Sequence, residues 1–459
     1  MLTACRIVSA TIKADGFEYY SRFKIPHNEA TFLFSNRIGS CREMCDIGIY
    51  AMRACGIPVA MDVYKWSPSY QGSHQWLVVR DTTGKYVQFG FDGVVARRDT
   101  ICSDGRKKGK VYRNCFGIQP DRVRQISALL AIPPTIGNAY QKDVTAEYFG
   151  KNSTSVFLEA KPTGDVFLGV FSPKGWIPID VAECNNNFAV FQNLEPEVVY
   201  APIALTDSGY DAIGYPFITD RTHRLHILKG DVTTNVPMIL SRKMPLMPLM
   251  KMRLDKCIVG AKIDASTDSL FQNAHLIHRF SSPLCYCHVR LACHDVGKVR
   301  YLRYTSPAGV PMELGEIAAY SDTACSKSIP LRLITPIPSV YFPKNVTDGN
   351  MLTAFYAPTE YKSLVFDMGR QTDVNTIDFY PRTDGNFIVA GDTYELFFQN
   401  GANGWKSLGR KKSDGQFVKF SGPSGALFWL HDITRGKEEQ VFVYEDGRQL
   451  FVEDMRINK

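Results

Sequence analysis

Three residue types able to run nucleophilic acyl chemistry occur in order within one stretch of the chain: Cys41, His74 and Asp92. A thiol can attack an acyl carbon, an imidazole can take its proton, and a carboxylate can orient the imidazole. Their value depends on the elements that carry them. Ser40 followed by Glu43 is a capping-box pattern, which predicts a helix starting at Cys41. Met44, Cys45, Ile47, Ile49, Tyr50, Met52 and Ala54 give that helix an apolar face, and Gly56 with Pro58 ends it. Cys41 is thereby predicted in the first turn, where aligned peptide dipoles and free amides favour an anion and lower the thiol pKa. The same amides can donate to an oxyanion. Cys45 and Cys55 read as core residues.

Residues 59–64 read as a strand, residues 67–69 as a polar turn, and residues 74–79 as a second strand. Asp81-Thr82-Thr83-Gly84 is a hairpin turn into a third strand over residues 86–89. His74 and Asp92 then lie on successive strands of one hairpin, with His74 facing Cys41. Asp81 is an alternative third member by its nearness in sequence.

Gly39-Ser40-Cys41-Arg42-Glu43-Met44-Cys45, then Arg53-Ala54-Cys55-Gly56-Ile57-Pro58, His74-Gln75-Trp76 and Phe91-Asp92 together resemble the core of the transglutaminase-like superfamily, a branch of the papain-like folds. The resemblance implies Cys41 as nucleophile, His74 as base and Asp92 as third member. It also implies a papain-like α+β core, with Trp66 and Trp76 as walls of the cleft, although Trp76 reads equally as core. Only forty residues precede Cys41, and they are weakly periodic. The chain therefore resembles an N-terminally shortened member, one cleft wall missing.

At 459 residues the chain implies roughly three or four domains. Its composition is that of a soluble globular protein. The net charge of +7 is modest, and the densest basic run, Arg106-Lys107-Lys108-Gly109-Lys110, reads as a solvated loop, so nucleic acid is not an expected partner. No segment has the length of a transmembrane helix or the make-up of a complete signal peptide. Leu2-Thr3-Ala4-Cys5 is similar to a lipoprotein cleavage box that lacks its preceding apolar stretch, and the twelve cysteines do not read as a disulfide framework.

From Lys110 onward, strand patterns alternate with turns. Residues 143–148, 155–158, 166–171 and 176–179 read as strands of a β-sandwich closing near Leu228. A second unit is marked by residues 299–306 and 313–320. A third begins Asp348-Gly349-Asn350-Met351-Leu352-Thr353-Ala354 and continues with Phe366-Asp367-Met368-Gly369. Both resemble discoidin-like, galactose-binding-type sandwiches. That resemblance implies loop residues stacking on sugars, and Tyr356, Arg382 and Trp405 are the candidates by residue type. Cys285-Tyr286-Cys287-His288 with Cys293-His294 invites a metal site, but alternation in a strand turns the cysteines and Leu291 to one apolar face, so no metal is expected.

The resulting expectation is a multidomain α+β protein: a transglutaminase-like core over residues 1–115, a β-sandwich over 116–235, and discoidin-like sandwiches over 245–330 and 335–459. Its expected chemistry is cysteine-dependent acyl transfer, or amide or peptide hydrolysis, without a cofactor, on a protein, peptide or glycoprotein substrate, with a glycan as possible ligand. Export or the cell surface is what the resemblance implies for location. The alternative is an inactive glycan- or surface-binding protein that uses the sandwiches alone.

Overall fold

The computed structural model describes every residue except 22, 24, 26–28, 92–93, 99–104, 285–286, 437, 453 and 456–459, and leaves aside the side chains of residues 248 and 249. Strands take 39% of the chain and helices 15%. The strands form many small sheets, the largest of five strands. The expected α+β class with a papain-like core is thereby corrected: the chain is mostly β, its strands concentrated after residue 58, and the helix Cys41–Ala54 of the N-terminal unit packs on a sheet. The physical reason lies in the short, turn-punctuated runs of β-branched and aromatic residues after residue 58, which leave few stretches able to hold a long helix.

The N-terminal unit contains α1 (Leu2–Ala14), β1 (Glu18–Tyr19), α2 (Ala30–Asn36), β2 (Ile38–Gly39), α3 (Cys41–Ala54), β3 (Val59–Tyr64), β4 (His74–Arg80), β5 (Tyr86–Phe89), β6 (Tyr112–Asn114) and β7 (Gln141–Asp143). The last five form an antiparallel sheet in the order β5-β4-β3-β6-β7. One apolar core joins Ile47 and Met52 of α3 to Leu77, Val79, Val87 and Phe89 of the sheet. Gly48 lets helix and sheet meet closely: a Cβ there would lie 2.3 Å from Leu77 Cδ1.

Two helices, α1 and α2, form in the weakly periodic segment before Cys41. Cys5, Ile12 and Leu33 join the same core, and burial pushes the Cys5 thiol up to about 11. β1 pairs in parallel with β2 and so stands beside the start of α3. The wall expected to be missing is built from this segment.

The following unit is a sandwich of a four-stranded and a three-stranded sheet around Val156, Leu168, Ile179, Phe191 and Tyr200. Of the strand expected over residues 143–148, residues 145–148 fall instead in a helix, Thr145–Phe149. Asp143 accepts from both the amide and the hydroxyl of Thr145, an Asx turn that ends the strand and starts the helix. β7 belongs to the N-terminal sheet, so that unit runs past the expected end at residue 115.

The expected boundary at residues 330–335 falls inside one sandwich. Lys298–Thr305 pairs with Ser363–Asp373, which also pairs with Arg332–Leu333. The opposite sheet joins Glu316–Tyr320 to Thr376–Tyr380, and all share one core. The C-terminal sheet, residues 393–451, is separate. It packs on the pair formed by Asp231–Leu240 with Val418–Ser424, so the sandwich of residues 262–380 is inserted within that last unit. Among the described residues no helix is long and apolar enough to cross a membrane.

Candidate active site

α3 begins where its sequence cap predicts. The Ser40 amide donates to Glu43 Oε2 at 2.8 Å and the Ser40 hydroxyl to the same oxygen at 2.6 Å, closing a capping box. Gly39 permits this: a Cβ there would stand 2.4 Å from Glu43 Cβ. Cys41 is thus fixed as the first helical residue, with its sulfur toward β4. β5 pairs with β4 only from Leu77 to Arg80, so the backbone around Gln75 is open on that side. The backbone amides of Gln75, Cys41 and Arg42 lie close enough to the Cys41 sulfur to favour its thiolate.

Burial, and to a smaller extent the Glu43 carboxylate, raise the Cys41 thiol above the ordinary cysteine value and outweigh these amides. The predicted lowering at the helix terminus is therefore present as a contribution but loses to desolvation. The resting thiol is neutral at neutral pH, and its use as a nucleophile calls for a base.

His74 lines the same cavity as Cys41, a space of about 490 Å³. The β3–β4 register sets Tyr64 opposite His74 and Asp62 opposite Trp76. His74 lies 5.9 Å from the Tyr64 ring and 6.1 Å from the Trp76 ring, centroid to centroid. Behind this aromatic wall, Trp76 Nε1 donates to the Tyr148 hydroxyl at 3.0 Å, and that hydroxyl donates to Asp62 Oδ2 at 2.6 Å. Arg113 clamps Asp62 with two bonds of 2.8 Å. Burial and the Asp62 carboxylate hold the Tyr148 hydroxyl far above the usual phenol range, so it stays a donor and fixes Trp76.

Asp92 lies outside the described residues. Asp81, the alternative, sits in the turn at the far end of β4. It accepts from Thr83 and Lys85 amides and binds Arg98, and these contacts hold its carboxyl well below the usual range. Six residues of strand separate it from His74, roughly 20 Å at strand rise, so it does not orient that ring. Trp76 lines the cavity, as expected of a cleft wall. Trp66 does not line it: its Nε1 donates to the Phe171 carbonyl at 3.2 Å and its ring packs on the neighbouring sandwich.

Four cavity residues carry no signal in the sequence motif: Tyr19, Gln88, Arg106 and Lys108. Tyr19 comes from the N-terminal segment; burial, then the nearby Cys41, raise its hydroxyl, and Arg106 opposes them, which places the three groups together. The run expected as a solvated loop is half-buried at Arg106 and Lys107 and buried from Lys108 to Lys110. Lys110 is ion-paired with Asp143 at 2.6 Å and Asp180 at 2.8 Å, and the amides of Lys108 and Gly109 donate to the buried Glu195 at 2.5 and 2.8 Å. The one available clue was density of charge, which does not distinguish a solvated run from a stapled one.

The sugar-binding candidates separate. Trp405 stacks on Trp176 at 6.1 Å within a cluster with Phe171 and Trp429, at the seam of the first sandwich and the C-terminal sheet, so it offers no open platform. Tyr356 is exposed, and its strand neighbour Glu313 is bound by Arg382 at 3.3 Å. The cysteine–histidine strand points Leu291 and Cys293 into the core, while His288 and Arg290 contact Asp378, each at 2.8 Å. No cluster of metal-ligating residues occurs among the described residues.

No family model matches the chain, and no curated protein matches it in sequence.

Proposed function

We propose that the chain is an enzyme of cysteine-dependent acyl chemistry, as the resemblance of residues 39–92 to transglutaminase-like proteins implies. The observation that supports this best is the shared cavity of Cys41 and His74, with the amides of Gln75 and Arg42 near the sulfur. His74 takes the thiol proton as the sulfur attacks an amide carbonyl. The amides stabilise charge on the reacting atoms, and the C–N bond breaks as His74 returns the proton to the leaving amine. The thioester then passes to water, regenerating the thiol with release of an acid, or to a second amine. Asp92 keeps the orienting role the resemblance gives it. Hydrolysis is preferred over cross-linking on that same ground.

The alternative, an inactive glycan-binding protein, is favoured by one observation: burial keeps the Cys41 thiol protonated. Tyr356, beside Glu313 and Arg382, is then its sugar-facing candidate.

Alkylation of Cys41 by iodoacetamide, located by peptide mass spectrometry across a pH series, separates the two. Because the thiol is raised, labelling is expected to keep climbing at pH values above the free-cysteine value of about 8.5. At pH 7, wild type is expected to react at least about a hundredfold faster than His74→Ala, the low end of what a positioned base contributes. Equal rates in the two proteins sink the enzyme reading.

A further inference from the structure

We propose that Lys65 is the amine of a second site, which captures a small hydroxylated aldehyde or ketone as an imine. The site stands apart from the acyl chemistry at Cys41 and does not depend on it.

Lys65 follows directly on β3, and alternation along the strand puts its side chain on the face of Met61 and Val63. All three line a cavity of about 400 Å³ beside the flank of α3 that carries Arg42, Asp46 and Tyr50. Among the described residues, this cavity shares only Gln75 with the one that holds Cys41. The chain on either side of Lys65 is fixed: Tyr64 is fully buried, and Trp66 is anchored on the Phe171 carbonyl at 3.2 Å. Lys65 itself is half-buried, with neither a hydrogen bond nor an ion pair among the described residues. The one carboxylate in the described lining, Asp46, stands 3.9 Å from Arg42 Nε.

A cation enclosed without an acceptor is disfavoured, whereas the neutral amine bears the same burial at much less cost. Burial, and then the Arg122 guanidinium held by the Ile136 carbonyl at 2.6 Å, accordingly bring the Lys65 amine down to about 8. A lysine in such surroundings keeps a free lone pair near neutral pH and can attack a carbonyl carbon. Gln141 indicates what else the ligand carries. It lines the same cavity at only 3% exposure, and its Nε2 donates to Asn114 Oδ1 at 2.8 Å. Its Oε1 is buried and accepts no hydrogen bond among the described residues. An amine that calls for an electrophile thus shares a cavity with a carbonyl oxygen that calls for a donor, the complement of a hydroxyl beside a carbonyl. In the capture, the amine nitrogen adds to the carbonyl carbon. The carbonyl oxygen then leaves as water with the two amine hydrogens, giving C=N, and water reverses the step.

The test uses the whole chain with glycolaldehyde as probe. Sodium cyanoborohydride reduces any imine to a stable secondary amine, and peptide mass spectrometry reads each lysine. An amine titrating near 8 is about one-tenth neutral at pH 7 and an ordinary lysine, at about 10.4, far less, so trapping at Lys65 should exceed that at exposed lysines by at least about tenfold. Its rate should saturate with glycolaldehyde concentration, as binding requires, while the exposed lysines respond linearly. Relative to those lysines, Lys65 should favour glycolaldehyde over acetaldehyde by a few-fold, and Gln141→Leu should lose that preference. Where Gln141→Leu fails to fold, the saturation and the aldehyde preference of wild type decide. A Lys65 rate no greater than that of the exposed lysines overturns the inference. So does a fast rate that fails either to saturate or to distinguish the two aldehydes, which would mark an activated amine without a binding site.

Discussion

Two places in this chain bring cysteine and histidine close in sequence or space, and they are built to opposite ends. Around Cys41 the thiol stands at a helix start, the amides of Gln75 and Arg42 lie near the sulfur, and the histidine lines a cavity with it. Along residues 287–293 the thiols face a packed core, where burial pushes Cys287 and Cys293 up to about 11, and His288 is spent on Asp378 and on stacking 4.6 Å from Tyr380. Burial raises the thiols in both. What differs is open volume beside the sulfur and the reach of amides from other residues, Gln75 and Arg42, to it, and that difference, more than residue type, marks a site for chemistry.

The sharpest way to break this contrast is to delete the two histidines in turn. His74→Ala should slow the Cys41-dependent burst of nitrophenol from p-nitrophenyl acetate by roughly 10²- to 10⁴-fold, the usual worth of a general base. His288→Ala should leave the burst unchanged. Similar loss in both variants would mean that Cys41 reports only on global folding.

Next in size are substitutions that act through packing. Gly48→Ala drives a Cβ into Leu77 and should cost about 1–3 kcal/mol by overpacking while also slowing Cys41 labelling, because α3 is displaced from β4. Cys293→Ser, by contrast, sets a hydroxyl against the apolar sandwich core and should cost about 1–3 kcal/mol with Cys41 labelling intact. Chemical denaturation with labelling of the native protein reads both numbers. A Cys293→Ser protein with altered labelling would join the two regions that the contrast separates.

How much of this could be seen in the residues follows from the range of the forces involved. The capping box, the helix from Cys41, the strand of residues 59–64 and the hairpin through Asp81 to Phe89 are local in origin, so Ser40, Glu43, Gly56 and Gly84 announce them. The stapled loop is not local: Lys110 is buried because Asp143 and Asp180 come to it from 33 and 70 residues away. Tyr19 enters the cavity through a two-residue parallel pairing with β2, too short to leave a pattern. The sandwich boundary misled for a related reason. Residues 298–305 find their partner at 363–373, across the turn-rich segment that reads as a linker.

A smaller effect sharpens the contrast through pH. Burial alone would raise the Asp378 carboxyl, but bonds from Arg290 and His288 outweigh it and hold it at about 2. A folded pKa below the unfolded value of about 3.9 stabilises the protein above that pH, and the stabilisation is lost as pH falls from about 4 toward 2. Asp378→Asn should therefore be less stable than wild type by about 1 kcal/mol at pH 6, a figure reduced for solvent screening. The gap should close between pH 4 and 2 in urea titrations. A gap that persists at pH 2 would assign the loss to packing. Cys41 labelling should follow neither change.

The smallest effect crosses between the units. The loop that leads into His74 is held from outside: Gln440 Nε2 donates to the Ser69 carbonyl at 2.6 Å, Gln71 donates to the Glu439 carbonyl, and Trp66 is anchored on Phe171. The C-terminal sheet thus contributes to where the histidine sits, although it supplies no described residue to the cavity. Gln440→Ala removes one such bond, worth about 1 kcal/mol, and leaves the Ser69 carbonyl to find another partner. Because the bond acts on a loop rather than on the reacting atoms, Cys41 labelling should drop only a few-fold, with the pH profile unchanged. A shift in the profile would show that this sheet tunes the Cys41–His74 pair itself. An unchanged rate would show that Gln71 and Trp66 suffice to hold the loop, and the C-terminal sheet would then be as remote from the chemistry as the strand of Cys287 and Cys293.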